Sequence, residues 1–127
     1  MNQIYQAGRW IFILSFSFYV VLHFFFAKVG VDNFVPKFLP FPYFWEYLAG
    51  VGLLAFIISG IIGVYDRLAA LSLVVYLLLI IVLIHGPQAA NPMEMLNVFR
   101  VSNMIGGALM YAGAFARDKR LSFWGKA

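Results

Sequence analysis

The chain contains no cysteine, which excludes disulfides, thiolate zinc sites, iron–sulfur ligation and a cysteine nucleophile. It is also short of charge. Only 11% of its 127 residues are Asp, Glu, Lys or Arg, against roughly 25% in an ordinary soluble domain. Nine basic and five acidic side chains cannot clothe a soluble fold of this size in a polar shell. Phosphate-loop patterns are absent: no GxxxxGK[ST] occurs, and Gly50-Val51-Gly52 falls within an apolar run. The serines lack a nucleophile elbow. The net charge of +4 forms no basic stripe, so no nucleic-acid partner is expected.

What the chain has instead is apolar sequence. Hydrophobic residues make up 64% and the mean hydropathy is +0.90, which is the composition of an integral membrane protein rather than of a soluble or disordered one. Four runs stand out: Trp10–Ala27, Tyr43–Tyr65, Leu68–His85 and about Met95–Ala116, each 18 to 23 residues long. At 1.5 Å per residue they reach roughly 27–35 Å, the thickness of a hydrocarbon core. They lack the alternation of barrel strands. The expected fold is an all-α integral membrane protein, a single domain forming an antiparallel bundle of four transmembrane helices over about 10–27, 43–65, 68–85 and 92–116. The first run lacks a small-x-small cleavage pattern and reads as a retained helix.

Four passes put both termini on one side. That side carries Arg9, Arg67, Arg117, Lys119, Arg120 and Lys126; the other carries Lys28, Lys37 and Arg100. The bias places both termini in the cytoplasm and the longer loops outside. Asp66-Arg67 reads as a tight hairpin between the second and third helices. Lys28–Phe41, with Phe34, Phe38, Phe41, Pro36 and Pro40, reads as a loop lying on the outer membrane surface. Gly86-Pro87 stops the third helix at His85. Asn91, Pro92 and Glu94 form a capping-box start for the fourth. The basic tail Arg117–Ala127 reads as an interfacial anchor. Small residues at four-residue spacing (Ala55, Ser59 and Gly63; Ser102 and Gly106; Ala108, Ala112 and Ala116) mark the second and fourth helices as the close-packing ones. The first and third carry more of the lipid-facing surface.

Ionisable groups inside apolar spans are expensive and mark candidate sites. Here they are His23, Glu46, His85 and Arg100, all expected in the outer half, with Asn97 and Asn103 three residues either side of Arg100. One polar group from each helix at similar depth forms a candidate cofactor-binding cluster of His23, Glu46, His85, Arg100 and Asn103. The opposite charges of Glu46 and Arg100 suggest a pair, set against the alternative that each snorkels to its own interface. Haem b ligation by His23 and His85, or a metal held by His23, His85 and Glu46, would need more pattern than two histidines supply.

Several stretches resemble the DoxX family of small four-helix bacterial membrane proteins: His23-Phe24, the loop VPKFLPFPYFWEYLAG at Val35–Gly50, Arg67-Leu68-Ala69-Ala70, His85-Gly86-Pro87 and Gly106-Gly107-Ala108. Related sequences often carry an acid shortly after the glycine at position 50; here the acid is upstream, at Glu46. The resemblance implies a location in the bacterial inner membrane and association with quinone-linked respiratory or thiosulfate-oxidising complexes. It leaves two main functional readings. In one the chain is a non-catalytic accessory or structural subunit beside other membrane subunits or its own copies. In the other it is a quinone-interacting redox subunit with an outer-leaflet polar pocket. A small drug or ion transporter is a third reading, set back because Glu46 sits near an interface rather than at the midplane.

Overall fold

The computed structural model describes residues 2–33 and 35–118, and within them the fold is all helix. The elements are α1 (Asn2–Ser15), α2 (Ser17–Phe25), α3 (Ala27–Asn33), α4 (Pro42–Ile62), α5 (Asp66–Ile80) and α6 (Pro92–Met110). A π-helical turn, Ile81–His85, and a 3-10 turn, Gly86–Gln88, prolong α5. A second π-helical turn, Tyr111–Phe115, prolongs α6.

Local chemistry sets these boundaries. The break between α1 and α2 falls at Phe16, where Ser15 and Ser17 turn their hydroxyls back onto the carbonyls of Phe12 and Leu14 at 2.8 and 2.6 Å. Such back-bonding competes with the helical ladder and bends it. Pro42 opens α4 in the first helical turn, where its missing N–H is no loss. Gly63 closes α4 at φ 71°, its N–H on the Ser59 carbonyl at 2.8 Å; that left-handed cap suits glycine because it has no Cβ. Asn91 caps α6, its Oδ1 accepting the Met93 N–H at 2.9 Å.

Three helical stretches are long and apolar enough to cross a membrane: Gln3–Phe25, Pro42–Ile62 and Asp66–Gln88. Such a span was also expected over 92–116. That stretch is helical to Phe115, but Asn97, Arg100, Ser102 and Asn103 make it less apolar than the other three. The exterior elsewhere is strongly apolar, with Ile11, Phe18, Phe25 and Val82 all at least 65% exposed.

Consecutive long helices pack on one another. The α1–α2 rod lies on α4, α4 on α5, and α5 on α6 and its π extension. The rod also touches the last helix through Tyr5, whose ring meets Phe115 edge-on at 4.6 Å, and Phe12, which stacks on Tyr111 at 6.2 Å. An aromatic centre fills the space between them: Phe56 meets Phe16 edge-on at 5.4 Å and Phe12 at 6.0 Å. Leu53, Leu73, Leu77 and Ala108 complete this buried core. The close approaches use Gly50, whose missing Cβ leaves room for His23 and Phe24, Gly60, which admits Ile13, and Gly107, which admits Phe12. The second and fourth helices thus do pack closely, but against the first, and Gly52 and Gly106 face open space.

Four boundaries differ from the sequence reading, the first being that the third helix does not stop at His85, since Gly86–Gln88 carries it on as a 3-10 turn. Lys28–Phe41 is not all loop, because Ala27–Asn33 is helical and buries Ala27, Gly30 and Val31; α3 packs on α4. Asp66 and Arg67 are not the hairpin but the first residues of α5, and Gly63–Tyr65 makes the turn. The first helix begins well before Trp10. Phe34 and the tail from Lys119, assigned to the membrane surface on sequence grounds, lie outside the described residues.

The Gly63 cap yields a test. Gly63→Ala places a Cβ at positive φ, 3.0 Å from the Arg117 side chain, and is expected to lower the unfolding free energy in detergent by about 1 kcal/mol or more. Gly52→Ala, in a helix with open space at its Cβ, is expected to be neutral or mildly stabilising.

Candidate functional site: three buried polar clamps

Six of the ionisable groups of the apolar helices gather in three places. One lies at the end of the molecule that holds the start of α1. Arg9 and Asp66 are almost wholly buried there, 2% and 0% exposed. Arg9 Nη2 donates to the Gly60 carbonyl and to the Tyr111 hydroxyl, the latter at 3.2 Å. The Tyr111 hydroxyl donates to Asp66 Oδ2 at 2.8 Å. The backbone N–H groups of Arg117 and Asp118 donate to the two oxygens of Asp66 at 2.9 and 2.8 Å. Asp118 in turn accepts the Tyr65 N–H at 2.7 Å. The guanidinium lies 4.0 Å from the Asp66 carboxylate and covers the faces of Trp10 and Tyr111, at 5.1 and 5.7 Å from their centroids. Five chain segments meet at this clamp: α1, the end of α4, the start of α5, the π turn after α6 and the stretch of chain beyond it.

The other two clamps lie at the opposite end, and each is a histidine–carboxylate pair. His23 Nδ1, on the last turn of α2, is 2.7 Å from Glu46 Oε1 on the first turns of α4. Glu46 is 4% exposed. Its carboxylate lies against Gly30 of α3 so closely that a Cβ at position 30 would overlap it. His85 Nδ1, at the end of the first π turn, is 2.6 Å from Glu94 Oε2 at the start of α6. Each pair fastens one helix end to the start of the next long helix. Gly86 makes the second possible, because its N–H bonds the Ile81 carbonyl five residues back and a Cβ there would sit 2.6 Å from that oxygen. The π turn shifts the register of the helix end, and His85 at its last position meets Glu94.

The expected pair of Glu46 with Arg100 is corrected by this geometry. Glu46 is satisfied by His23. Arg100 is exposed, and its partner is Asn97 Oδ1 at 3.4 Å. The capping box at Asn91 is also half replaced: Asn91 caps as expected, but Glu94 turns to His85. Of the five candidate residues, His23 and Glu46 come together, His85 pairs with a residue outside that set, and Arg100 and Asn103 lie exposed on α6. Sequence reasoning missed Arg9, Asp66, Tyr111 and Glu94. Arg9 and Asp66 flank apolar runs and read as interfacial charges. The available signal was that they are opposite charges at the starts of the first and third long helices, which a bundle of alternating direction puts on one side.

Two cavities stand out. One of about 320 Å³ lies between the first rod and α6, lined by Phe12, Ser15, Phe16, Phe18, Tyr19, Asn103 and Met104. The other, of about 280 Å³, lies between Asp32, Val35, Pro36 and Lys37 on one side and Leu83, Ile84 and Gln88 at the end of the α5 rod on the other. Asn103 is the one candidate residue that lines either. Among the described residues no group of three or more His, Asp or Glu is arranged to hold a metal ion. No family model, curated protein or solved structure matches the chain.

The clamp at Asp66 carries the prediction. Asp66→Ala strands a buried guanidinium, the Tyr111 hydroxyl and two backbone N–H groups at once. Removing one partner of a buried charged pair typically costs about 3–5 kcal/mol. Asp32→Ala removes only an exposed pair with Lys28 and is expected to cost under about 1 kcal/mol. Unfolding of both variants in detergent, followed by circular dichroism, checks the difference, and equal losses would contradict the clamp.

Proposed function

We propose that the chain is a DoxX-like integral membrane protein, a four-span antiparallel helical bundle with both termini in the cytoplasm, acting as a non-catalytic accessory or structural subunit of a larger complex in the bacterial inner membrane. Its apolar helices suit a bilayer, and in that solvent polar side chains must find partners within protein. The carrying observation is how they do so. The acids and histidines of the apolar helices are spent on one another, His23 on Glu46 and His85 on Glu94, while Asp66 takes Tyr111 and lies beside Arg9. Groups committed to holding helix ends together are poor candidates for reacting with a substrate.

The orientation comes from charge. Arg67 and Arg117, with Lys119, Arg120 and Lys126 beyond, outnumber Lys28, Lys37 and Arg100 even when the buried Arg9 is set aside. The two histidine–carboxylate clamps then lie beneath the outer surface. The quinone-interacting alternative needs some of His23, Glu46, His85 and Arg100 to line a pocket, and neither cavity is lined by any of them.

Purification of the native chain in mild detergent tests this reading. A second membrane protein in fixed stoichiometry is the expected result. Bound quinone that is lost on His23→Ala would favour the redox alternative, and a chain that runs alone with neither would overturn both.

A further inference from the structure

The pairing that closes the core leaves Arg100 without an acid among the described residues. The chain has five acids, and each is engaged within it: Asp32 with Lys28, Glu46 with His23, Asp66 with Tyr111 and the 117–118 backbone, Glu94 with His85, and Asp118 with the Tyr65 N–H. Arg100 has the neutral side chain of Asn97, three residues away on the same helix. It is exposed, eight residues into α6 from Pro92, hence roughly 12 Å along the helix. One turn deeper, at roughly 16 Å, Asn103 is exposed too, at the mouth of the cavity between the first rod and α6, and has no hydrogen-bond partner among the described residues. In a bilayer whose half-thickness is about 15 Å, an arginine and a free amide at these depths are costly if only lipid faces them.

Asn103 decides what faces them. A lipid phosphate stays at the headgroup level, where a snorkelling arginine can meet it, and acyl chains offer an amide at mid-depth no hydrogen bond. A second copy of this chain brings no spare carboxylate, and symmetric packing along α6 would set Arg100 against Arg100. A helix of another protein can present an acid at one depth and a hydrogen-bonding group at the next. The backbone is open to it: a Cβ at Gly106 would meet no atom within 4 Å, and small residues at such a face let helices approach.

We infer that the exposed face of α6 around Arg100, Asn103 and Gly106 docks a transmembrane helix of a different protein, one that carries an Asp or Glu level with Arg100. This rests on the accessory-subunit reading and names the chemistry of the partner. It also accounts for α6 being the least apolar of the four long helices, since its polar residues would be covered in the complex.

The test uses the full chain in phosphatidylcholine vesicles. Because the protein has no cysteine, Ala90→Cys gives a unique site for a fluorescent donor at an exposed position that breaks no ion pair. The probe is an acceptor-labelled Leu/Ala transmembrane peptide with one Glu placed level with Arg100, compared with the same peptide carrying Gln. The Glu peptide is expected to bind roughly tenfold tighter, in line with the strength of interhelical polar contacts. Arg100→Gln should remove that preference, and Asn103→Ala should weaken both peptides. Equal binding of the two peptides, or a preference that survives Arg100→Gln, overturns the inference. So does energy transfer between labelled copies without peptide, which indicates a homodimer, or an Arg100-dependent enrichment of phosphatidylglycerol around the protein without peptide preference, which indicates lipid. A native partner that co-purifies equally with wild type and Arg100→Gln sinks this inference while leaving the accessory reading intact.

Discussion

The constraint on which this structure depends is that polar groups buried in an apolar chain find their partners within the chain, and among the described residues only Nε and Nη1 of Arg9 and Nε of Arg67 are buried side-chain atoms left without a hydrogen bond. A protein with 64% hydrophobic residues has few polar groups to spend. It places them where helix ends meet. At one end Asp66 gathers the Tyr111 hydroxyl and two backbone N–H groups, with Arg9 alongside; at the other, two histidines reach two glutamates. Between these ends the contacts are aromatic and aliphatic and carry little directional information. The polar clamps therefore set the rotation and register of the helices, and the aromatic centre fills the space they define.

The irregular features of the helices serve the same end. One π turn finishes at His85, the other begins at Tyr111, and both residues belong to clamps. A π turn inserts an extra residue and rotates the helix beyond it. Gly86 and Gly30 act likewise by absence: a side chain at the first would crowd the Ile81 carbonyl, and at the second it would occupy the seat of the Glu46 carboxylate. Helix α3 is explained in this way. Its sequence, AKVGVDN, has little apolar weight, yet it folds against α4 because Gly30 lets it close over Glu46.

Much of this was legible in the sequence. Run lengths placed the long helices, Asn91 marked the start of the last one, and the rarity of ionisable groups in apolar runs drew attention to His23, Glu46 and His85. Partner choice was not legible. Glu46 and Arg100 are the opposite charges one would match on paper, but matching depends on helix rotation, which a pattern of mostly apolar residues leaves nearly undetermined. Arg9 and Asp66 escaped for another reason: at the edge of an apolar run a charge reads as interfacial, and only the fold shows the chain beyond Phe115 closing over them. Arg100 stands apart by its depth: it is exposed eight residues into α6, the least apolar of the long helices, and no acid among the described residues meets it.

The most direct measurement of this account is solid-state nuclear magnetic resonance of the labelled protein in lipid bilayers, reading through-space correlations between side-chain nitrogens and carboxyl carbons. The account predicts correlations from the His23 imidazole to Glu46 and from the His85 imidazole to Glu94, with none between Arg100 and Glu46. A strong Arg100–Glu46 correlation, or histidines correlated with neither carboxylate, would contradict it.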